Sequence, residues 1–265
     1  MEQEKKRTTF LEQDGEREGI AVGRNAVYEA LATGANIDKI YVLPGEPDGV
    51  LRRILGMAAE KKILVQTTDR YKLRKLSGTD SHQGILCCIS EKQYGTVADI
   101  LKLAADRGEA PFVVVADEIA DPHNLGAIIR TAHVTGAHGV VIPKRRGVGI
   151  TPAVSKASAG AVFHVEIAKV NNLTAALGEL KDAGLWIYGL DSTGRDNLFQ
   201  TSFSGPAALV VGSEGKGLTR LVRDTCDVLV SIPMEGEFNS LNASVAAGVA
   251  MYEILRQKKY AGKAR

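Results

Sequence analysis

Ala207–Met234, AALVVGSEGKGLTRLVRDTCDVLVSIPM, decides how the rest of the chain is read. Its first five residues are an apolar run of the kind shown by a strand buried on both faces of a parallel sheet. Three glycines then fall within Gly212–Gly217, and a helical pattern follows in which Leu218, Leu221 and Val222 share one face. A second apolar run, Asp227–Ile232, stops at Pro233. A glycine-rich turn between the carboxyl end of a strand and a helix is where open α/β sheets bind small ligands. The turn is not a phosphate-binding P-loop, because the four-residue gap and the hydroxyl after the lysine are missing. Nor is it a dinucleotide fingerprint, since no glycine stands two residues after Gly212. Taken alone it reads equally well as a turn that uses Gly for positive φ.

Working outward, residues 96–265 continue the same βα alternation. Strands are expected at Phe112–Ala116, Gly139–Ile142, Val162–Val165, Trp186–Leu190, Ala207–Val211 and Val228–Ile232. Helices are expected at Leu125–Val134, Leu173–Ala183, Leu218–Thr225 and Ser240–Lys258. That is a mostly parallel sheet covered on both faces. Toward the N-terminus, residues 92–95 read as a linker and residues 20–91 as a small α/β sandwich, with a helix capped by Asn25, an amphipathic helix over Val50–Lys61 and a basic helix over Asp69–Leu76. Residues 1–19 are highly charged, without apolar periodicity, and read as a mobile tail.

The 265 residues carry a formal net charge of +2 and 45% hydrophobic content. The core is ample, and any basic surface must be local. No apolar run is long enough to span a membrane. Three cysteines, two of them adjacent, make neither a disulfide framework nor a metal site, and a reducing cytoplasm fits them. Local basic stretches exist. Arg70-Tyr71-Lys72-Leu73-Arg74-Lys75 suits a phosphate backbone or a solvated helix face, and Lys144-Arg145-Arg146 follows a strand on an exposed loop. His82-Gln83-Gly84 lies in a loop before a strand, and His and Gln can read unpaired base edges.

Two more stretches carry polar residues where packing does not call for them. In Asp121-Pro122-His123-Asn124-Leu125-Gly126-Ala127-Ile128-Ile129-Arg130, Asn124 is a candidate cap, and Arg130 sits among apolar neighbours, which asks for a partner. In Ser240-Leu241-Asn242-Ala243-Ser244, Ser240 and Asn242 are candidate caps for an Ala/Val-rich helix. Together Asn124-x-Gly126-x-x-x-Arg130, Val211–Leu218 with Ile232-Pro233-Met234, and Ser240-Leu241-Asn242-x-Ser244-x-Ala246 resemble the three ordered motifs of the SpoU (TrmH) family of S-adenosylmethionine-dependent RNA 2′-O-ribose methyltransferases, of the SPOUT class. No motif position departs from the pattern. Gly23-Arg24-Asn25-Ala26-Val27 and the His82-Gln83-Gly84 loop are similar to the RNA-binding domain of the subgroup that methylates a guanosine in 23S rRNA.

The resemblance implies an α/β SPOUT domain with a C-terminal trefoil knot, a homodimer with its active site near the subunit interface, and no metal or membrane. It implies Arg130, Asn124, Glu214, Ser240 and Asn242 as catalytic residues, with Glu214 holding Arg130. Gly212, Glu214, Ile232, Met234 and Leu241 would surround the methyl donor. Guanidinium keeps its proton, so Arg130 is assigned to an RNA phosphate and the developing 2′-oxyanion. Arg24, Arg70, Lys72, His82, Gln83, Lys144 and Arg145 would hold RNA, either 23S rRNA or an assembling large ribosomal subunit. The same chemistry on tRNA or another rRNA site, and a non-catalytic RNA-binding or ribosome-assembly protein on this fold, remain the alternatives. A nucleotide-dependent oxidoreductase lacks its fingerprint.

Overall fold

The computed structural model describes residues 19–35, 37–89, 94–236 and 240–260. The expected tail up to residue 18, residues 92–93 of the linker and Phe238-Asn239 lie outside them.

The first unit runs β1 (Ile20–Val22), α1 (Arg24–Ala32), β2 (Ile37–Val42), α2 (Gly49–Glu60), β3 (Leu64–Thr67), α3 (Arg70–Ser77) and β4 (Ile85–Ile89). Its sheet order is β1-β4-β2-β3, with β4 antiparallel to both neighbours and β2 parallel to β3. Val27, Leu31, Ile54 and Ala58 from α1 and α2 pack on Ile40, Ile85 and Cys87. On the opposite face Leu73 of α3 meets Ile20, Val22 and Leu86. Asp48 and Asp69 cap α2 and α3 through the amides of Leu51 and Lys72. Helix α1 departs from expectation. It starts one residue before Asn25, after Gly23 at φ +91°, and its cap comes from far along the chain: the Arg24 amide donates to Gln83 Oε1 at 2.9 Å.

The second unit runs α4 (Val97–Asp106), β5 (Phe112–Ala116), α5 (Pro122–Val134), β6 (Gly139–Pro143), α6 (Pro152–Ala157), β7 (Glu166–Val170), α7 (Leu173–Asp182), β8 (Trp186–Leu190), β9 (Asp196–Asn197), β10 (Ala207–Val211), α8 (Arg220–Thr225), β11 (Val228–Ser231) and α9 (Ala243–Tyr260). The strand order is β7-β6-β5-β10-β8-β11-β9, parallel throughout the described residues. Successive residues of a strand face opposite layers. Val114, Val140 and Leu209 pack under α5, α6 and α9, while Val113, Val115, Ala208 and Val210 pack under α4, α7 and α8. That is why β5 and β10 read as unbroken apolar runs.

Two expectations for this unit are corrected. The strand expected at Val162–Val165 is a single 3-10 turn, Ala161–Phe163, entered through Gly160 at φ +89°; the strand is β7, beginning at Glu166 opposite Gly139. Val162 is buried for a different purpose, packing in the core under α5. On α8, Val222 is buried but Leu221 is 70% exposed, because consecutive helical residues point in different directions and it is Val222 that faces the sheet.

The two units pack directly. Helix α6 lies against β1, Phe163 enters the first unit's core, and His164 Nε2 lies 2.8 Å from Glu29 Oε2 on α1. In turn α6 lies so close to α5 that a Cβ at Gly126 would be 2.5 Å from Ala157 Cβ and 2.9 Å from Val154 O. Backbone atoms cannot yield as a flexible side chain would. Gly126→Ala is therefore expected to lower stability by about 1–3 kcal/mol in urea or thermal unfolding. Unchanged stability would show that α5 and α6 separate easily.

Candidate functional site

Strand order reverses direction at β5 and β10, the place where open α/β sheets leave a crevice beyond the strand ends. There the loops after β10, β8 and β11 enclose a cleft of about 300 Å³. It is lined by Leu190–Thr193, Val211–Leu218, Arg223, Ile232, Met234, Ser240, Leu241, Ala243 and Ala246. The apolar members surround the backbone of the glycine loop.

Each glycine of that loop has its own reason. Ser213 and Gly217 exchange backbone hydrogen bonds at 3.1 and 2.9 Å, closing the loop on itself. Gly215 and Gly217 sit at φ +82° and +66°, conformations costly for other residues. A Cβ at Gly212 would be 2.2 Å from Gly217 C and 2.4 Å from Leu218 N, so Gly212 is required by the loop's own return path.

Asp117, 1% exposed at the end of β5, fixes both ends of the loop. Its amide donates to Val211 O at 2.8 Å, and its Oδ2 accepts the Thr219 amide at 2.6 Å at the start of α8. Burial pushes its carboxyl above the ordinary range, and the Thr219 hydrogen bond partly opposes this.

At the tip of the loop stands Glu214. Its Oε2 accepts the side-chain amides of Asn124 and Asn242, both at 3.2 Å. The three polar stretches of the sequence thus meet on one carboxylate oxygen. Asn124 does not cap α5, as had been expected. Asp121 does, accepting the amides of His123 at 2.6 Å and Asn124 at 3.3 Å, with Pro122 as the first helical residue. The Asn124 side chain, 7% exposed, is thereby released toward Glu214. Asn242 does both jobs. Its Oδ1 accepts the Ser244 amide at 3.0 Å at the start of α9, and its Nδ2 donates to Glu214. Ser240 lies before that helix, exposed, on the cleft wall.

Arg130 corrects two further expectations. The buried stripe of α5 is Leu125, Ile128, Ile129 and Ala132, and Arg130 points away from it, exposed. Among the described residues it has no hydrogen bond or ion pair, and Glu214 is bonded to the two asparagines instead. Six residues separate Arg130 from Asn124, about 9 Å along the helix. Helix α5 packs against α9 at its neighbour Thr131, whose Cγ2 lies 4.0 Å from where a Gly248 Cβ would be. Val134 of α5 and Val245 and Tyr252 of α9 are also exposed.

The expected RNA-contacting residues fall in two places. Lys144 and Arg145 are exposed on the loop after β6. Arg24, Arg70, His82 and Gln83 line a second cleft, of about 690 Å³, in the first unit, and Lys72 sits outside it with its ammonium 5.2 Å from the Tyr41 ring. Lys156 of α6 also lines this second cleft, and sequence gave no sign of it. Also missed were Asp191, Thr193 and Arg223 of the first cleft. Arg223 Nη2 donates to Thr193 Oγ1 at 2.7 Å and its Nε lies 3.6 Å from Asp191 Oδ2. No group of three His, Cys, Asp or Glu side chains is placed to hold a metal among the described residues, and no described helix is long and apolar enough to cross a membrane. Burial pushes the Cys87 and Cys226 thiols up to about 12, which makes them poor nucleophiles.

Comparison with known proteins agrees with this geometry. The SpoU rRNA methylase family model matches residues 111–252, and the model for RNA 2′-O ribose methyltransferase substrate binding matches residues 20–95. The putative TrmH family tRNA/rRNA methyltransferase YacO of Bacillus subtilis (strain 168) is 42% identical over 242 residues, 91% of this chain and 97% of its own. The SpoU methyltransferase AviRb from Streptomyces viridochromogenes, solved with AdoMet, shares the fold with a TM-score of 0.76 at 24% identity, over 94% of this chain and 95% of its own. A crystal structure of an RNA 2′-O ribose methyltransferase superposes with a TM-score of 0.73 at 25% identity, over 94% and 93%.

Asp117 gives the site a stability test. Asp117→Ala removes the acceptor for Thr219 and is expected to cost about 1–2 kcal/mol. Asp117→Asn keeps an acceptor and sheds a buried charge, so its cost should stay within about 1 kcal/mol. Because the folded-state pKa is raised, the ionised carboxylate opposes folding at neutral pH. The wild type should therefore gain on Asp117→Asn as pH falls through that pKa. Equal losses in both variants, without pH dependence, would remove Asp117 as the loop's anchor.

Proposed function

The chain belongs to the SpoU rRNA methylase family and is an RNA methyltransferase, and from that premise we propose that it moves the methyl group of S-adenosylmethionine onto a ribose 2′-hydroxyl, with a guanosine of 23S rRNA as target. The observation that carries this reading is the convergence of Asn124 and Asn242 on Glu214 beside the cleft. A bound donor supplies a sulfonium methyl, an electrophile that needs no metal or redox partner.

The residues present fit such a donor. The glycine loop, Ile232 and Leu241 offer backbone groups to an adenosine, and Leu190, Leu218 and Met234 offer it apolar surface. Glu214 is held by two amides, and in holding it Asn124 and Asn242 fix the loop against the starts of α5 and α9. A ribose hydroxyl becomes a competent nucleophile only as its proton leaves, so placement and alkoxide stabilisation dominate the barrier. Arg130 is assigned to both tasks, gripping the adjacent phosphate with two N–H groups and drawing charge onto the 2′-oxygen.

Arg130 lies outward on α5, one turn from exposed Val134, and Val245 and Tyr252 of the packed α9 are exposed as well, which supports a homodimer in which these helices are covered by a second copy. The C-terminal trefoil knot belongs to the same proposal, supported by the way α9 returns beside α5 after β11, on the far side of β8. RNA is proposed to run over Lys144 and Arg145 and into the first unit's cleft.

Radiolabelled S-adenosylmethionine offered with total rRNA and total tRNA, followed by mapping of 2′-O-methyl sites, should label one guanosine of 23S rRNA. Arg130→Ala should lower kcat about 10²–10³-fold with donor affinity kept. Label confined to tRNA would overturn the rRNA assignment, and near-normal turnover in Arg130→Lys would overturn the two-pronged grip. For the dimer, Tyr252→Asp should yield monomers in analytical ultracentrifugation. A wild-type chain that sediments as a monomer at micromolar concentration would refute the interface.

A further inference from the structure

The larger cleft is more than a basic surface. Three cations line it, Arg24, Arg70 and Lys156, against two acids, Glu46 and Asp80. Two of these charges are already engaged: Arg24 pairs with Asp48, and Asp80 Oδ1 lies 3.3 Å from Arg74 Nε. Arg70 and Lys156 have no ion pair among the described residues. They come from different units, Arg70 from the first turn of α3 and Lys156 from α6.

Between them lies His82, 1% exposed. Its Nδ1 accepts the Gly84 amide at 3.0 Å, which places the ring's proton on Nε2. That Nε2–H is buried and has no hydrogen-bond partner among the described residues. Burial, with Arg70 and Lys156 nearby, holds the imidazole below its ordinary range, so the ring stays neutral and the donor is fixed. Arg24 Nε, on the same cleft, is also buried and without a partner among the described residues. The turn cannot readily rearrange to satisfy these donors. Gln83 and Gly84 both hold positive φ, and Gln83 Oε1 is tied to the start of α1.

Orphaned buried donors are rare in folded proteins and mark groups that await an acceptor. Here a neutral imidazole N–H and a buried guanidinium N–H stand beside two cations that have no ion pair among the described residues, in a concave space of small-ligand size. Such a space excludes a duplex but admits a nucleotide splayed out of a single strand. Building on the RNA reading given above, we propose that this cleft is a socket for one unstacked nucleotide of the RNA, other than the one methylated, with its phosphate held by Arg70 and Lys156 and an acceptor of its base or ribose held by His82 Nε2–H. Lys156 makes the socket a ruler. Its helix packs on Gly126 of α5, the helix that carries Asn124 and Arg130. A nucleotide seated there sets the distance from its own position in the RNA to the methyl-transfer cleft.

The test uses the full chain. Arg70→Gln and Lys156→Gln, both at solvent-reachable positions, should each weaken binding of protein-free total rRNA on the order of tenfold, with affinity for S-adenosylmethionine unchanged. In ¹⁵N-histidine spectra, guanosine 5′-monophosphate should shift the His82 Nε2 resonance saturably, and Lys156→Gln should abolish the shift. Inorganic phosphate giving the same shift would overturn the socket in favour of a plain anion site. Wild-type rRNA affinity in both variants, with Lys144→Ala/Arg145→Ala still weakening it and flattening its salt dependence, would also overturn the socket while leaving the RNA reading intact. An unmutated chain that binds the methyl donor but no rRNA would take both readings down together.

Discussion

One carboxylate oxygen, Glu214 Oε2, accepts amides from residues 90 positions upstream and 28 positions downstream. Glu214 is exposed, so water competes for it and the two bonds add little to global stability. Their effect is positional. They tie the tip of the glycine loop to the starts of α5 and α9, and those helices carry Gly126, Arg130, Ser244 and Ala246 of the motifs. The other end of the loop is anchored by Asp117, inside the protein, where a hydrogen bond is protected from solvent. A loop fixed firmly at its base and lightly at its tip can present a preformed surface to a ligand and still adjust at the rim.

Glycine does two jobs in these motifs, and the geometry separates them. Gly215 and Gly217 supply positive φ, whereas Gly212 and Gly126 are conventional in backbone and are small because backbone lies within 3 Å of where a Cβ would be. Gly126 brings α6 onto α5. The motif that reads Asn124-x-Gly126-x-x-x-Arg130 is thus one polar contact at the helix start, one packing contact a half-turn on, and one outward cation. Only the first and last of these carry polar side chains.

Much of the sheet was legible because a strand buried on both faces must be apolar throughout: β5, β8 and β10 lie where their runs place them. Where one signal has two physical causes, sequence misled. The apolar run at Val162 meets a helix instead of a sheet partner. Asn124 has the composition of a cap, but the helix begins earlier, at Pro122, where Asp121 caps it through the amides of His123 and Asn124. Arg130 looked buried because its neighbours in sequence are apolar, yet α5 turns it outward. The motif residues around the cleft came from family resemblance. Asp191, Thr193, Arg223 and Lys156 could not be found by pattern at all, since loops and a six-residue helix carry no periodicity.

That six-residue helix has the widest consequences for how the two units act together. Helix α6 touches β1 on one side and α5 on the other, and the segment after it places Phe163 in the first unit's core and His164 on Glu29. These contacts couple the units through one segment: within the second unit α6 is seated closely on α5 at Gly126, and β1, Phe163 and His164 join that same segment to the first unit. A substrate gripped by the first unit is therefore gripped at a fixed offset from α5. In the methyl transfer proposed above, whose barrier is governed by placement, such an offset would select the nucleotide without the cleft reading the base it modifies.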